Sequence, residues 1–217
     1  MDFFSRQILL WGQEAQDNLT QKSIAIIGAG GLGSSLAYSL SALGLKEIFI
    51  IDYDQVSSSN IHRQIMFEAK DEGRFKAEVF KKLEKRYDKT KISPKIMHAK
   101  QYFSQNPKLD LLLDASDNLK TRLEIDEFAK SQNIPWVWAS VEGFLAQACL
   151  FKDKSPSFYP KANDNKPGQN PSMVMFSAAF ASLLALKFLL GLKPKTDHFY
   201  YFDFLGEALS LQDFEIS

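Results

Sequence analysis

Two apolar stretches of this sequence each end in residues suited to holding a nucleotide. Residues 24–27 lead directly into the glycine-rich segment 28–33, and residues 48–51 end in Asp52. Between them, the apolar run 36–45 predicts a helix. A strand, a glycine turn, a helix and a second strand form the unit that binds phosphate groups in nucleotide-binding domains. The sequence therefore predicts a nucleotide site at the ends of these strands.

Three glycines of this segment have an expected task. Gly28 permits the tight turn, Gly30 lets a phosphate approach the backbone, and Gly33 lets the helix pack closely on the sheet. The helix N-terminus then offers N–H groups and the positive end of its dipole to an anion. Asp52 follows at about 20 residues, where a carboxylate accepts hydrogen bonds from a ribose. A glycine-rich turn without a ligand is the alternative, and the context of strand and helix disfavours it.

A polar segment, residues 53–64, follows the second strand, where an open α/β sheet places its ligand crevice. Asn60 and Arg63 belong to this segment, and Lys76 lies near the start of a helix predicted over residues 71–87. We expect these three side chains to converge on the phosphate side of the nucleotide. Each of them alone is more often a solvated surface group, but together at one strand end they favour a polyphosphate.

Asp117 lies between a predicted strand, residues 109–114, and a helix predicted over residues 120–133. It should therefore occupy the same sheet edge as the glycine turn. A carboxylate at this edge could bind Mg²⁺. It could equally cap the helix N-terminus, and on position alone capping is the more common role.

The order of the predicted elements indicates an α/β fold: a Rossmann-like, mostly parallel central sheet with helices on both faces and antiparallel strands at the C-terminal end. With 217 residues, the chain suits a single domain, residues 1–217. Residues 3–19 are predicted to be helical, and residues 152–172 a flexible crossover loop. The remaining predictions are strands at 92–98, 135–141, 144–151, 199–204 and 208–214, and a helix at 173–190.

Composition and charge exclude several classes of protein. Lys and Arg number 26, as do Asp and Glu, so nothing in the charge suggests nucleic acid or an acidic membrane as a partner. Cys149 is the only cysteine, which excludes an internal disulfide and a cysteine-rich zinc site. The N-terminus lacks the pattern of a signal peptide, so a cytoplasmic location is expected. The apolar stretch 173–190 is expected to be a buried helix rather than a membrane span.

These motifs occur in the order seen in the ThiF/MoeB/HesA family, the bacterial relatives of the ubiquitin-activating enzymes. They are Ser5-Arg6-Gln7, the glycine segment 28–33, Asp52-x-Asp54, Ser59-Asn60-x-x-Arg63-Gln64, Lys76 and Asp117-Asn118. The chain resembles this family over nearly its whole length. The resemblance implies an enzyme that binds ATP with Mg²⁺ and adenylates the C-terminal Gly-Gly carboxylate of a ubiquitin-like sulfur-carrier protein. A ThiS-like carrier of thiamine biosynthesis is the first expectation, and the molybdopterin-synthase small subunit, activated by MoeB, is the second.

The resemblance also implies roles for single residues. Gly31 would lie against the nucleotide, Asp52 would hold the ribose, and Asp117 would support the metal. Arg6 would reach the phosphates of the partner subunit in a homodimer, as an arginine finger does. The residues expected to engage the phosphates are Asn60, Arg63 and Lys76. The motif residues Asp54, Ser59, Gln64 and Asn118 are assigned to the nucleotide site in the same way, and the expected catalytic residues are Arg6, Arg63, Lys76 and Asp117.

Departures from the family concern cysteine. Members often carry two Cys-x-x-Cys pairs that bind zinc, and many have a crossover-loop cysteine that forms a covalent intermediate. Here the first pair would fall at residues 157–160, which read Ser-Phe-Tyr-Pro, and the sequence ends at Ser217 before the second. Residues 152–172 contain no cysteine, and Cys149 is expected to pack as a small buried side chain. We therefore expect no zinc, and a reaction that ends at the adenylate with sulfur supplied by another protein.

Two other classes of protein share part of this pattern. An NAD-dependent oxidoreductase would use the same glycine turn and Asp52. A dinucleotide carries only a pyrophosphate, however, and leaves Arg63, Lys76 and Asp117 without a common task. A catalytically inactive scaffold, like the adenylation-incompetent half of the heterodimeric eukaryotic activating enzymes, should have lost residues that contact ATP, and here the whole set is present.

Overall fold

The computed structural model describes residues 3–156 and 168–216, which form a single eight-stranded sheet with helices packed on it. In chain order the strands are β1 (Ser23–Ile27), β2 (Glu47–Ile51), β3 (Lys91–Lys95), β4 (Leu111–Asp114), β5 (Trp136–Glu142), β6 (Leu145–Phe151), β7 (His198–Asp203) and β8 (Ser210–Glu215). Their spatial order is β3-β2-β1-β4-β5-β6-β7-β8.

The helices in the described residues alternate with the strands in the first half of the chain and become rare in the second. They are α1 (Ser5–Trp11), α2 (Gln13–Leu19), α3 (Gly31–Leu40), α4 (Lys76–Val79), α5 (Lys81–Tyr87), α6 (Ala99–Phe103), α7 (Leu119–Gln132) and α8 (Pro171–Leu189). Two 3-10 turns, Ser58–Asn60 and Ala69–Asp71, lie in the connection between β2 and α4.

Strands β1 to β5 are parallel, and the central strands β1 and β4 are buried along nearly their whole length. A strand covered by helices on both faces buries every side chain, so its sequence is continuously apolar instead of alternating. In β1, Ile26 pairs with Ile50 of β2 on one side and with Leu113 of β4 on the other, and all three are fully buried. The predicted parallel centre of the sheet is confirmed.

Strands β6, β7 and β8 extend the same sheet in antiparallel order. A tight turn at Gly143, with a φ of 57°, lets β5 fold directly back into β6. The outer strand β8 is exposed along its whole length. The predicted fold class, a Rossmann-like and mostly parallel sheet with antiparallel strands at its C-terminal end, is therefore confirmed.

Helices cover both faces of the sheet, as predicted. On one face α3 and α8 bury Leu36 and Ala181 in the larger apolar core. On the other face α6 and α7 stack Phe103 on Phe128, with ring centroids 4.5 Å apart, over the smaller core. The sheet is thereby held between two layers of helices.

Helix α8 is the most apolar helix of the chain and packs on β5, β6 and α3. Among the described residues it is the one helix whose length and composition would suffice to cross a membrane, but half of it is buried inside the structure. Buried core helices commonly meet the same criterion. Met175 and Leu183 on its outer side are about half exposed, at 49% and 50%.

Three predicted segments differ in the structure. The helix predicted over residues 3–19 is split into α1 and α2 at Gly12, whose φ of 86° no helix accommodates. The helix predicted over 71–87 starts only at Lys76, because Gly73 adopts a φ of 80° that a helix does not accommodate. Of the predicted loop 152–172, residues 157–167 lie outside the described residues. The two last residues of that loop already belong to α8, which Asn170 caps by accepting from the N–H of Ser172 at 3.0 Å.

Cys149 lies in the middle of β6, opposite Trp138 of β5 and Phe199 of β7. It is fully buried, and this burial raises the pKa of its thiol well above the ordinary value. A thiolate is the reactive form of cysteine, so the environment of Cys149 is that of an inert packing residue. Its prediction as a small buried side chain is confirmed.

We expect the thiol of native Cys149 to react with an aromatic disulfide reagent only after the protein unfolds. Replacing it by Ala should lower the free energy of unfolding by about 1–2 kcal/mol, because one buried atom is lost from a packed core. Urea denaturation and the rate of thiol modification check both points. Modification of the folded protein at the rate of a free thiol would contradict the assignment.

Candidate nucleotide site

Three neighbouring strands end at the same level of the sheet, and the predicted site residues follow them. Ile27, the last residue of β1, pairs with Ile51 of β2 and with Asp114 of β4. The backbone continues this register for one residue more, since the N–H of Gly28 donates to the O of Ile51 at 2.9 Å. The order β2-β1-β4 reverses direction here, and such a switch point is where open α/β sheets bind their ligands.

The glycine turn is packed so closely that side chains do not fit at two of its positions. A Cβ on Gly28 would lie 2.6 Å from the O of Ala115, and the residue also has a φ of 103°. A Cβ on Gly33 would run into the backbone O of Gly28. The turn therefore rests directly on the end of β4, and the N-terminus of α3 points into the space above the sheet edge.

Asp52 holds the glycine turn to the end of β2. Its Oδ2 accepts from the N–H of Ala29 at 2.6 Å, and its Oδ1 accepts from the N–H of Asp54 at 2.7 Å. Burial raises the pKa of Asp52, and these hydrogen bonds oppose the rise. An ionised carboxylate has further lone pairs to offer, so Asp52 can fasten the loop and still accept from a ribose.

The segment that carries the Ser59-Asn60-x-x-Arg63-Gln64 motif lies over the middle of the glycine turn. A Cβ on Gly31 would stand 3.2 Å from the O of Arg63, and one on Gly30 would stand 3.7 Å from the Nε2 of Gln64. The guanidinium of Arg63 donates to the Oδ1 of Asn60 at 3.1 Å. The structure thus brings Arg63, Gln64 and Asn60 to the turn as predicted, while the hydroxyl of Ser59 lies further out and contacts that of Ser57 at 3.0 Å.

Lys76 reaches the same edge from the start of α4. It is only 7% exposed, and its Nζ lies 2.9 Å from the Oδ2 of Asp54. Its backbone N–H also donates to the O of Asp54, at 2.9 Å. Because Asp54 donates in turn to Asp52, the predicted residues Asp52, Asp54 and Lys76 form one connected chain of contacts.

Asp117 is exposed at the end of β4, on the edge where it was predicted. Its alternative role as the helix cap is wrong. Asn118 is the N-cap of α7, and its side chain accepts from the N–H of Thr121 at 2.8 Å. The side-chain oxygen of Asn118 is thus engaged in capping α7, and its predicted role at the nucleotide site stays a prediction.

A buried ion pair beside Asp117 was not predicted. Asp114 is fully buried and accepts from the Nε of Arg122 at 3.0 Å. Burial raises the pKa of Asp114, and Arg122 is the strongest influence opposing that rise. The available signal was an Asp closing a strand and an Arg eight residues later, a spacing that many unrelated segments share.

Arg6 does not lie at this site within its own chain. Helix α1 is attached beyond the C-terminal end of α3, where the Nε2 of Gln7 donates to the O of Ala42 at 3.3 Å. The ring of Phe4 packs against Gly44 in the same loop. Since α3 has ten residues, Arg6 is separated from the glycine turn by about 15 Å along the helix.

Comparison with known proteins identifies the family of this chain and supports its fold. Residues 4–217 match the ThiF family. The chain belongs to the ThiF family. It is 30% identical to the sulfur carrier protein adenylyltransferase of Thermus thermophilus, over 94% of this chain and 84% of that protein. It is 29% identical to the ThiS adenylyltransferase of Escherichia coli, over 92% of this chain and 86% of that one.

Other relatives are longer than this chain. The probable adenylyltransferase/sulfurtransferase MoeZ of Mycobacterium tuberculosis is 30% identical over 87% of this chain, which spans 53% of its length. Among solved structures, E. coli MccB with ATP superposes with a TM-score of 0.86, 21% identity, and coverage of 99% of this chain and 71% of MccB. This last similarity concerns the fold. The chain is an enzyme of the ThiF family with its Rossmann-like architecture.

The close packing of the glycine turn can be tested with a matched pair of substitutions. Gly73→Ala adds a methyl group at positive φ with open space around it, and should cost about 1–2 kcal/mol. Gly28→Ala adds the same strain and a clash with the Ala115 backbone, and should cost a further 1–3 kcal/mol, roughly. Urea denaturation of both variants measures the difference. Equal losses would show that the end of β4 gives way freely.

Proposed function

We propose that this protein activates a small ubiquitin-like sulfur-carrier protein by adenylation. ATP and the C-terminal Gly-Gly carboxylate of the carrier would give an acyl-adenylate and pyrophosphate. The observation that carries the proposal is the meeting of the glycine turn, Asp52, Arg63, Lys76 and Asp117 above three strands in register. Membership of a family whose named relatives include sulfur carrier protein adenylyltransferases supports it.

The described residues fit a nucleoside triphosphate. The Nε of Arg63 and the Oε1 of Gln64 are buried, and neither has a hydrogen-bond partner in the described part of the chain. Buried polar atoms are nearly always paired, so these two favour a polar ligand beside Gly30 and Gly31. Arg63, Asn60 and Lys76 would hold the phosphates, and Asp52 the ribose.

Asp117 fits a role in holding Mg²⁺ together with the phosphates. Within residues 3–156 and 168–216, no three Asp, Glu, His or Cys side chains are grouped so that they could hold a metal ion by themselves. Mg²⁺ does not need such a group, because it is commonly held by one or two carboxylates and by substrate phosphates. Bound there, the metal would neutralise part of the charge on the phosphates.

The chemistry requires little from the protein beyond position and charge. A carboxylate that attacks an α-phosphate brings two anions together, so cations must lower their repulsion. Arg63 and Lys76 supply two such charges. Cys149 is the only cysteine and is buried in β6, so we propose that the reaction ends at the adenylate and that another protein supplies the sulfur.

The pathway is a finer part of the proposal. A ThiS-like carrier of thiamine biosynthesis is our first choice, and the small subunit of molybdopterin synthase is the second. The 29% identity to the E. coli ThiS adenylyltransferase supports the first choice but does not decide between the two. The use of ATP supports a cytoplasmic location. Binding of NAD instead would leave Arg63 and Lys76 without a phosphate to neutralise.

We also propose that the enzyme is a homodimer in which Arg6 acts on the site of the other subunit. Both α3 and α8 begin at the nucleotide edge, the edge of the sheet that carries the glycine turn 28–33, where Val174 packs against Gly31. Both end at the opposite edge, where Leu189 and Trp11 line one groove. A two-fold axis across α8 would pair it with an antiparallel copy, and α1 of one subunit would then lie level with the nucleotide edge of its partner.

The outer side of α8 is suited to this contact. Met175 and Leu183 are about half exposed, and Lys187 is the single charged residue of the helix. An apolar stripe of this kind is typical of interfaces between identical subunits. At the partner's site, the guanidinium of Arg6 would stabilise the charge that develops on the leaving pyrophosphate.

Exchange of label between pyrophosphate and ATP tests the activity directly. We expect exchange only when a carrier with a free C-terminal Gly-Gly is present, and we expect Cys149→Ala to retain it. The matched control is the same carrier with its last glycine removed, which should give no exchange. Hydrolysis of ATP without any exchange, for either the thiamine or the molybdopterin carrier, would refute the proposal.

Mixed dimers test the role of Arg6. Arg6→Ala and Asp117→Ala should each be inactive as homodimers. If each site takes Arg6 from one chain and Asp117 from the other, random exchange of equal amounts restores about a quarter of the wild-type sites. As a control, Asp117→Ala mixed with Lys76→Met should restore nothing, because both residues belong to one chain's site. No recovery in the first mixture, after confirmed subunit exchange, would place Arg6 outside the mechanism.

A further inference from the structure

The short loop between β4 and α7 is fixed by a buried carboxylate. Asp114, the last residue of β4, is 0% exposed, and Asp117 follows three residues later. The Oδ1 of Asp114 accepts from the backbone N–H of Ser116 at 2.9 Å and from its hydroxyl at 2.6 Å. The residue directly before Asp117 is therefore held by two hydrogen bonds to one carboxylate oxygen.

Arg122 completes this arrangement from the second turn of α7. Its Nε donates to the Oδ2 of Asp114 at 3.0 Å, and its Nη2 donates to the backbone O of Ser116 at 3.3 Å. Its guanidinium lies over the ring of Trp138 in β5, 5.1 Å from the ring centroid. Ser116 is thus bound through its N–H, its hydroxyl and its carbonyl, and the group that binds it is anchored to the sheet.

We propose that Asp114 and Arg122 are positioning residues that fix the carboxylate of Asp117 towards the metal held with ATP. The inference rests on the proposed adenylation site. Holding the backbone next to a metal ligand lowers the conformational entropy that is lost when the ligand binds a cation. Mutation of groups that orient a metal ligand through hydrogen bonds typically costs roughly 10- to 100-fold in metal affinity or activity.

The cost of this ion pair argues for such a role. A buried Asp–Arg pair contributes little net stability compared with apolar residues of similar size, because both charges lose their hydration. Here the pair lies in an otherwise apolar layer with Trp138 and Cys149. Its hydrogen bonds go to Ser116, beside Asp117, and so its effect is directed to the loop rather than to the core.

Binding of Mn²⁺, measured by electron paramagnetic resonance with ATP present and no carrier, separates positioning from general stability. We expect Arg122→Met to weaken Mn²⁺ binding about tenfold. The affinity for ATP, measured with a chelator present to remove the metal, should be unchanged. Asp117→Ala should have a similar effect. The double variant should bind no more weakly than either single one, because both changes remove the same contribution. Lys22→Met, which removes the partner of Asp110 at the opposite edge of the sheet, is the matched control and should bind normally.

Ser116→Ala covers the case in which Arg122→Met does not fold. It removes only the hydroxyl bond to Asp114 and should weaken Mn²⁺ binding by about two- to fivefold. Normal Mn²⁺ binding by a folded Arg122→Met or by Ser116→Ala, with Asp117→Ala defective, would overturn the inference alone. Losses that add fully in the double variant would also overturn it. Normal binding by Asp117→Ala would overturn the proposed metal role itself.

Discussion

The contact between the glycine turn and the end of β4 is the constraint on which the site depends. Gly28 approaches the backbone of Ala115 so closely that a methyl group does not fit, and Gly33 lies equally close to Gly28. This contact sets the start of α3 directly above the switch point of the sheet. Asp52 then fastens the same turn to β2, so the ends of β4, β1 and β2 are joined at one edge of the sheet.

The cationic residues of the site are held in place by contacts within the chain. Lys76 is paired with Asp54, and Arg63 with Asn60. Because these side chains already have a defined orientation, less conformational entropy would be lost in the phosphate binding proposed for them. On the proposed reaction, this matters more than acid–base chemistry, since the transition state is stabilised mainly by charge in the correct place.

The sheet divides the chain into two parts with different tasks. The site residues found at the nucleotide edge all come from the parallel half, where the strands end together beneath α3. The antiparallel half carries Cys149 in its buried layer and exposes β8 at the border of the sheet. Helix α8 connects the halves, since it packs on β5 and β6 and touches Gly31 through Val174.

The sequence alone determined the fold class and the placement of most predicted site residues at one edge of the sheet, because both follow from local patterns. Apolar runs ending in Gly28 or Asp52 specify strand ends, and parallel strands in one sheet must bring such ends together. Four features were decided only by the folded structure. The split at Gly12 and the late start of α4 at Lys76 follow from backbone conformations at glycines that the apolar period does not reveal. The capping by Asn118, and the pairing of Asp114 with Arg122, were decided by which side chain the fold brings within reach.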